Sequence, residues 1–268
     1  MPDFVLVKSA GAVNPAIRMR TMPERVSHSN SLFAANLVQE LRPDGFVVGT
    51  DSRVNAAATT YYHLAIQCDP RDAKLLPWVG DGADNRVLTG VGFAPDAVII
   101  VNADGIGAVC RFGDTGDATQ YLDSALASVS DRIQSLDADG ITLGTATNVN
   151  GAGTNYYGLF LKNVGGLCKV SSYVGDGVDG RAVTGTDFTP DFTIVKNNDA
   201  AQFAAVRFED QAGDLSSSIV GAETTNIIQS VTATGFTVGT SALVNSVGAT
   251  YFWLCLADGA TATGNMIA

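Results

Sequence analysis

The sequence predicts an all-β protein made of three tandem antiparallel β-sandwich repeats, and three observations carry that prediction. First, one stretch is written three times: Gly45-Phe46-Val47-Val48-Gly49-Thr50, Gly140-Ile141-Thr142-Leu143-Gly144-Thr145 and Gly235-Phe236-Thr237-Val238-Gly239-Thr240. Each copy is followed by Val-Asn, at Val54-Asn55, Val149-Asn150 and Val244-Asn245, and then by an aromatic pair, at Tyr61-Tyr62, Tyr156-Tyr157 and Tyr251-Phe252. The step between copies is 95 residues at every one of these anchors, which is the signature of a repeat array. Second, glycine and small polar residues are abundant, charged residues make up only 16% of the chain, and Glu, Lys and Gln are sparse, a balance that favours strands and turns. Third, alternating apolar runs flank Asp-Gly or Thr-Gly pairs, the pattern of β-hairpins.

The period divides the 268 residues into a first repeat at 1–70, a second at 71–164, a third at 165–258 and a tail at 259–268, each repeat long enough for a core of its own. In the first repeat, Pro2-Asp3-Phe4-Val5-Leu6-Val7-Lys8 matches Pro95-Asp96-Ala97-Val98-Ile99-Ile100-Val101 and Pro190-Asp191-Phe192-Thr193-Ile194-Val195-Lys196. In the second repeat this run is apolar at every position, so the strand is expected at the centre of its sheet with both faces covered. The later repeats carry an additional opening strand, Trp78-Val79-Gly80-Asp81-Gly82 through Gly90 and Tyr173-Val174-Gly175-Asp176-Gly177 through Gly185, for which the first repeat has no match. An edge left open there needs a cover, expected from residues 254–263 after Trp253 or from a neighbouring subunit.

The next strand carries one arginine per repeat, Arg18, Arg111 and Arg207, and each has an acid nearby in Glu24, Asp114 and Glu209. A structural pairing with those acids is preferred to ligand recognition. The connections that follow, 22–36, 113–130 and 209–226, vary most between repeats and are where binding specificity is expected. Then come the hairpins around Asp44-Gly45, Asp139-Gly140 and Thr234-Gly235. Glycine suits such turns because it accepts positive φ without a Cβ clash. In the closing strands Tyr62, Leu64, Ile66 and their equivalents form the core face. The opposite face, with His63, Gly158 or Trp253, is expected to be surface or a contact between repeats, where Trp253 stacks on a sugar ring or packs under a neighbour.

The net charge of −11, from 16 Lys+Arg against 27 Asp+Glu and with no basic cluster, speaks against nucleic-acid binding. Cys68, Cys110, Cys168 and Cys255 have no metal-ligand spacing and read as buried free thiols. No run reaches the ~18 apolar residues of a membrane span, and the chain opens without a secretion signal, so a soluble protein made in a cytoplasm is expected. The Gly-Asp-Gly turns place two carboxylates together, at Asp81 and Asp84 and at Asp176 and Asp179. That is too few oxygens for calcium, and tight turns account for them. No metal and no cofactor are expected. Only two histidines, His28 and His63, are available as bases, and Asp114, Asp117, Glu209 and Asp210 read as turn acids, so no enzymatic activity is expected.

Taken in order and spacing, the Tyr-x-Gly-x-Gly strand at Tyr173-Val174-Gly175-Asp176-Gly177, the Pro-Asp strand at 190–196, the hairpin Ala138-Asp139-Gly140-Ile141-Thr142-Leu143-Gly144 and Val149-Asn150-Gly151-Ala152-Gly153 resemble a module repeated in phage tail-fibre and other virion structural proteins. The resemblance covers nearly the whole chain. A fainter similarity to the H-type lectin sandwich is carried by Thr234-Gly235-Phe236-Thr237 and the strand with Trp253. These resemblances imply a jelly-roll or lectin-like sandwich in a tail-fibre component, capsid decoration or spike. They imply residence in the virion after synthesis in the host cytoplasm, other capsid or tail subunits as partners, and many copies or a homo-oligomer. The alternative is an adhesin for host surface glycan, and the third reading is a glycan-degrading hydrolase. The residues expected to touch a ligand or partner are Arg18, Arg111, Arg207 and Trp253.

Overall fold

The computed structural model of the chain describes residues 1–24, 27–29 and 32–258. Apart from one helical turn, α1 (Ser52–Asn55), the named elements are strands, and all their pairings are antiparallel. The first copy holds β1 (Phe4–Ser9), β2 (Ala16–Met19), β3 (Ser27–Ser29), β4 (Leu32–Ala34), β5 (Val38–Arg42), β6 (Gly45–Val48) and β7 (Tyr61–Ile66). The second holds β8 (Ala73–Val79), β9 (Arg86–Thr89), β10 (Ala97–Asn102), β11 (Val109–Phe112), β12 (Gln120–Tyr121), β13 (Ile133–Asp137), β14 (Gly140–Leu143) and β15 (Asn155–Leu161). The third holds β16 (Cys168–Val174), β17 (Arg181–Thr184), β18 (Phe192–Asn197), β19 (Ala205–Phe208), β20 (Ser216–Ser218), β21 (Glu223–Thr224), β22 (Ile228–Thr232), β23 (Gly235–Val238) and β24 (Thr250–Leu256).

Each copy contributes a large inner sheet and a small outer one. The inner sheets run β4-β3-β2-β1-β7, β12-β11-β10-β15-β8 and β16-β24-β18-β19-β20-β21, and the outer sheets β5-β6, β13-β14-β9 and β17-β23-β22. The registers recur: Phe4 pairs with Met19 and Ile66, Ala97 with Phe112 and Leu161, Phe192 with Phe208 and Leu256. The Pro-Asp strands β10 and β18 lie at the centre of their sheets with both faces covered, as the doubly apolar run demands.

The two faces of these strands go to different cores. Phe4 and Leu6, Ala97, Ile99 and Val101, and Phe192 and Ile194 join one cluster shared by all three copies, together with Leu64, Leu159 and Leu254. Val5 and Val7, Val98 and Ile100, and Val195 each face the outer sheet of their own copy. Each copy thus has a core of its own between its two sheets, and the three share a further one that the sequence does not announce. A period-2 strand with apolar residues on both faces cannot be satisfied by one partner sheet, and the second face is buried only by the other copies.

The variable connections are also tied in. Leu122 and Ile219 reach the shared core, the amide of Glu223 donates to Ala10 O (2.9 Å), and His28 Nε2 lies 3.4 Å from Asp123 Oδ2 with both side chains buried. These segments are seams between copies before they are exposed loops. Two lysines of the inner strands are buried with their ammonium groups on carbonyls, and Lys196 reaches across a seam. Lys8 donates to Ser9 O and Gly11 O, Lys196 to Gln202 O and Ser124 O, and burial brings both down to about 8.

Two further expectations change. The additional opening element of the later copies is two strands: β8 and β16 extend the inner sheets, β9 and β17 the outer ones, and a Gly-Asp-Gly turn crosses between the layers. The opposite face of the closing strand is interior where this hairpin is present. Trp253 packs edge-on to Phe236 in the outer core (5.6 Å between centroids), and the space over Gly158 is filled by Trp78 and Phe160. His63, in the copy where the described residues form no such opening hairpin, is exposed. As for the cover expected from residues 254–263, those up to Leu256 belong to β24, paired between β16 and β18, and 259–263 lie outside the described residues.

Because one core serves all three copies, the described body should unfold as a unit. Leu256→Ala, at a fully buried position, should cost about 2–5 kcal/mol. Urea titration of single-tryptophan variants retaining Trp78 or Trp253 should report coincident midpoints for the second and third copies. The Leu256→Ala change should lower both together.

Candidate functional site

Among the polar side chains that repeat are Asn150 and Asn245. Asn150 sits after a turn whose backbone brings its amide against the Gly-Asp-Gly segment, and it is fully buried. Its Nδ2 donates to Asp81 Oδ1 (3.0 Å) and Ala83 O (2.8 Å), and its Oδ1 accepts from the amide of Asp81 (3.1 Å) and from Arg86 (2.8 Å). Asn245 repeats the arrangement, accepting from Asp176 and Gly177 amides and donating to Val178 O. The backbone comes so close that a Cβ on Gly80 would stand 2.0 Å from Gly151 O, which is why glycine begins the turn. Tyr156 and Tyr251 complete the receptor, stacked on Trp78 and Tyr173 at 5.5 and 5.2 Å. The carboxylates of this turn accept from amides and lie by arginine, Arg86 Nε at 3.4 Å from Asp81 Oδ2 and Arg181 Nε at 3.3 Å from Asp176 Oδ2. The Asp81 and Asp176 carboxyls are held below their usual range, chiefly by those backbone amides.

The first copy has the same receptor with no hairpin in it among the described residues. Asn55 is exposed and donates to Gly49 O (2.9 Å), while Tyr61 still bridges Ala56 N (2.7 Å) and Ser52 O (2.6 Å) as Tyr156 does at Gly151 and Thr147. Phe46 and Val48 are half-buried where Ile141, Leu143, Phe236 and Val238 are fully buried. Two cavities flank β7. One of about 290 Å³ is lined by Tyr62, Leu64, Phe208 and Glu209, the other of about 410 Å³ by Phe46, His63, Ala65 and Gln67. The Val-Asn pair is visible in the sequence as a triplicate, yet nothing local to it says that the asparagine holds a turn almost 70 residues away.

Arg18, Arg111, Arg207 and Trp253 are all buried, at 6, 3, 5 and 1% exposure. The structure does not gather them into one site. Arg111 donates to Ile133 O (2.7 Å) and lies 3.4 Å from the exposed carboxylate of Asp114. Arg207 donates to Leu215 O, Ile228 O, Gln211 O and Gly213 O, and Arg18 to Pro23 O. These guanidinium groups tie the inner sheet to carbonyls of the outer sheet and of the adjoining turn. The expected pairing of Arg207 with Glu209 is replaced by those carbonyls, because the turn at 211–215 wraps around the guanidinium and offers several acceptors at once. Arg111 and Arg18 nevertheless form the floors of clefts of about 470 and 410 Å³.

Glu209 turns instead to Asp191. Hydrogen bonding to that carboxyl, then burial and neighbouring acids, pushes Glu209 up to about 7. Asp191 in turn accepts from the amide of Asp258, as Asp96 does from Asn163 (2.7 Å) and Asp3 from Cys68 (2.8 Å). The Pro-Asp aspartate is thus a clamp on the chain leaving the closing strand. The thiols are free, and burial pushes Cys110 and Cys255 up to about 12. Among the described residues no group of His, Cys, Asp and Glu is placed to hold a metal ion, and no helix is long and apolar enough to cross a membrane.

No protein-family model matches the chain, and neither a curated protein nor a solved structure matches it.

The two states of the receptor should differ energetically. Asn150→Ala removes the partners of a buried turn and should cost about 2–3 kcal/mol in urea denaturation, whereas Asn55→Ala should cost less than about 1 kcal/mol. The pH dependence follows from Glu209, whose folded value is raised. Its contribution to stability is fully present below pH 4.5 and is lost as pH rises through about 7. Glu209→Gln should flatten that part of a melting-temperature profile, modestly, since the carboxyl is largely solvated.

Proposed function

We propose that this chain is a non-enzymatic structural component of a bacteriophage particle, three tandem sandwich modules set about a pseudo-threefold axis and joined to neighbouring subunits through strand edges. The single observation that carries this reading is the double edge of β6 and β7, unpaired among the described residues in a body whose other copies have theirs covered. A long unpaired edge is a template for pairing, and proteins cover it unless a partner does. The recurring arginines support the same reading, since each is buried and donates to carbonyls within the molecule, which suits a scaffold. The net charge of −11 is consistent with keeping densely packed copies soluble. The chain is then resident in the virion, made in the host cytoplasm, with capsid or tail proteins as its partners.

An antibody raised against the purified chain should decorate intact particles of the parent phage in immuno-electron microscopy, at a regular position. Absence of the chain from purified particles, with abundance in the infected cell, would overturn the reading.

A further inference from the structure

The first copy contains a receptor whose ligand is displayed twice elsewhere in the molecule. In the second copy β8 pairs with β15 over seven residues, the turn from Gly80 enters the loop around Asn150, and β9 pairs with β14 over four. The third copy does the same with β16, the turn from Gly175 and β17. Every receiving element has a counterpart in the first copy: β7 for the inner strand, Asn55 and Tyr61 for the turn, β6 for the outer strand.

Three features show that the first copy keeps the shape of the receiving surface although none of the described residues forms this hairpin there. Ala58 is held at φ 55°, where Gly153 and Gly248 stand at 82° and 79°, so the loop retains a left-handed residue that is unfavourable for alanine. Gly45 keeps the φ of Gly140 and Gly235, at 146° against 148° and 152°. A Cβ on either of the latter would lie 2.0 Å from the carbonyl of Leu88 or Val183 in the third outer strand, while a Cβ on Gly45 would meet nothing within 4 Å. Finally, among the described residues Tyr61 has no ring stacked on it as Trp78 and Tyr173 are on Tyr156 and Tyr251.

We propose that the first copy is a socket for a β-hairpin of the kind seated in the second and third, supplied from outside these 268 residues. The donor's first strand adds to β7, its Gly-Asp-Gly turn is caught by the side-chain amide of Asn55, and its second strand adds to β6. The chemistry of the donor follows from the seated examples. It carries an aromatic residue that stacks on Tyr61, a glycine opening the turn, and an arginine beyond it that pairs with the turn aspartate. Asp191, Glu209, Asp210 and Asp258 line the slot beside β7, so a basic residue on the donor's first strand is favoured. A second copy of this chain is a poor donor, because both of its hairpins of this type are already seated. Strand addition of this kind draws affinity from main-chain hydrogen bonds and specificity from alternate side chains. The socket deepens the assembly reading by giving its partner a chemical description.

The test is fluorescence anisotropy of a labelled peptide spanning residues 71–93, the hairpin of the second copy, titrated with the full 268-residue chain. Saturable one-to-one binding is expected, weakened about tenfold or more by Asn55→Ala in the chain and by Gly80→Val in the peptide. Asn55→Ala is expected to leave the fold intact, and the peptide variant keeps the test valid if it does not. No binding, or binding indifferent to both changes, overturns the socket. So does a dimer of the free chain that peptide cannot dissociate, which gives the edge to a second copy. Binding that requires proteolytic removal of residues 259–268 also overturns it, giving the edge to the chain's own terminus. A failed peptide titration with antibody still decorating the particle would remove the socket and leave the virion reading in place.

Discussion

The arrangement depends on a strand that is apolar on both faces. In β10 successive residues Ala97, Val98, Ile99, Ile100 and Val101 are all buried, with alternate members in different clusters. Burying one such aliphatic side chain is worth roughly 1.5–3 kcal/mol, so neither face can be left to water. The outer sheet covers one face. The other copies cover the second, and this is what converts a linear array into a body with a common interior. The polar side chains at the seams follow from the same geometry: Lys196, His28 and Asp123 lie where inner strands of one copy meet connections of another, with Lys196 donating to Ser124 O and His28 3.4 Å from Asp123.

Much of this was legible in the sequence because the period is 95 residues and strict. Three parallel readings of one pattern fix which residues are equivalent, and a run such as Ala97 to Val101 announces two covered faces. The hairpins at Asp44-Gly45 and Asp139-Gly140 were legible for a similar reason. The glycine, however, stands at the start of the strand, after the turn residues 138 and 139, and in two copies it is needed as much for the approach of a third strand as for the turn. What could not be read was anything resting on distance in the chain. Asn150 serves a turn at 80–83, Asp96 clamps an amide at Asn163, and the guanidinium of Arg111 ends on the carbonyl of Ile133. A local pattern gives residue types and alternation, and says nothing of which carbonyl a buried arginine will find. The nearest acid in sequence is a natural guess, and for Arg207 it loses to several carbonyls presented together by a turn.

The copies also show how packing is preserved when residues differ. In the second copy the closing strand has Gly158 where the third has Trp253, and the opening strand has Trp78 where the third has Tyr173. The large ring has moved from one strand to its neighbour while the volume between the sheets stays filled. Read as sequence, His63, Gly158 and Trp253 look like a position under no constraint. In the folded chain the constraint acts on the sum of neighbouring side chains, as expected for an interior packed to crystal-like density.

That compensation makes the first copy informative. If its missing hairpin were simply dispensable, the same exchange of volume would be expected to close the gap with bulkier residues on β6 and β7. Instead Phe46 and Val48 stay half-buried, His63 is exposed with its ring edge-on to Phe46 at 5.3 Å between centroids, and two cavities lie beside β7. The exposed asparagine, the left-handed alanine and the glycine with empty space before it are all features that answer to a neighbour. A surface that had adapted to water would have little use for an alanine at φ 55°, since an unfavourable backbone conformation persists only where the surrounding structure holds it. The first copy is therefore shaped like the surfaces that receive a hairpin in the second and third.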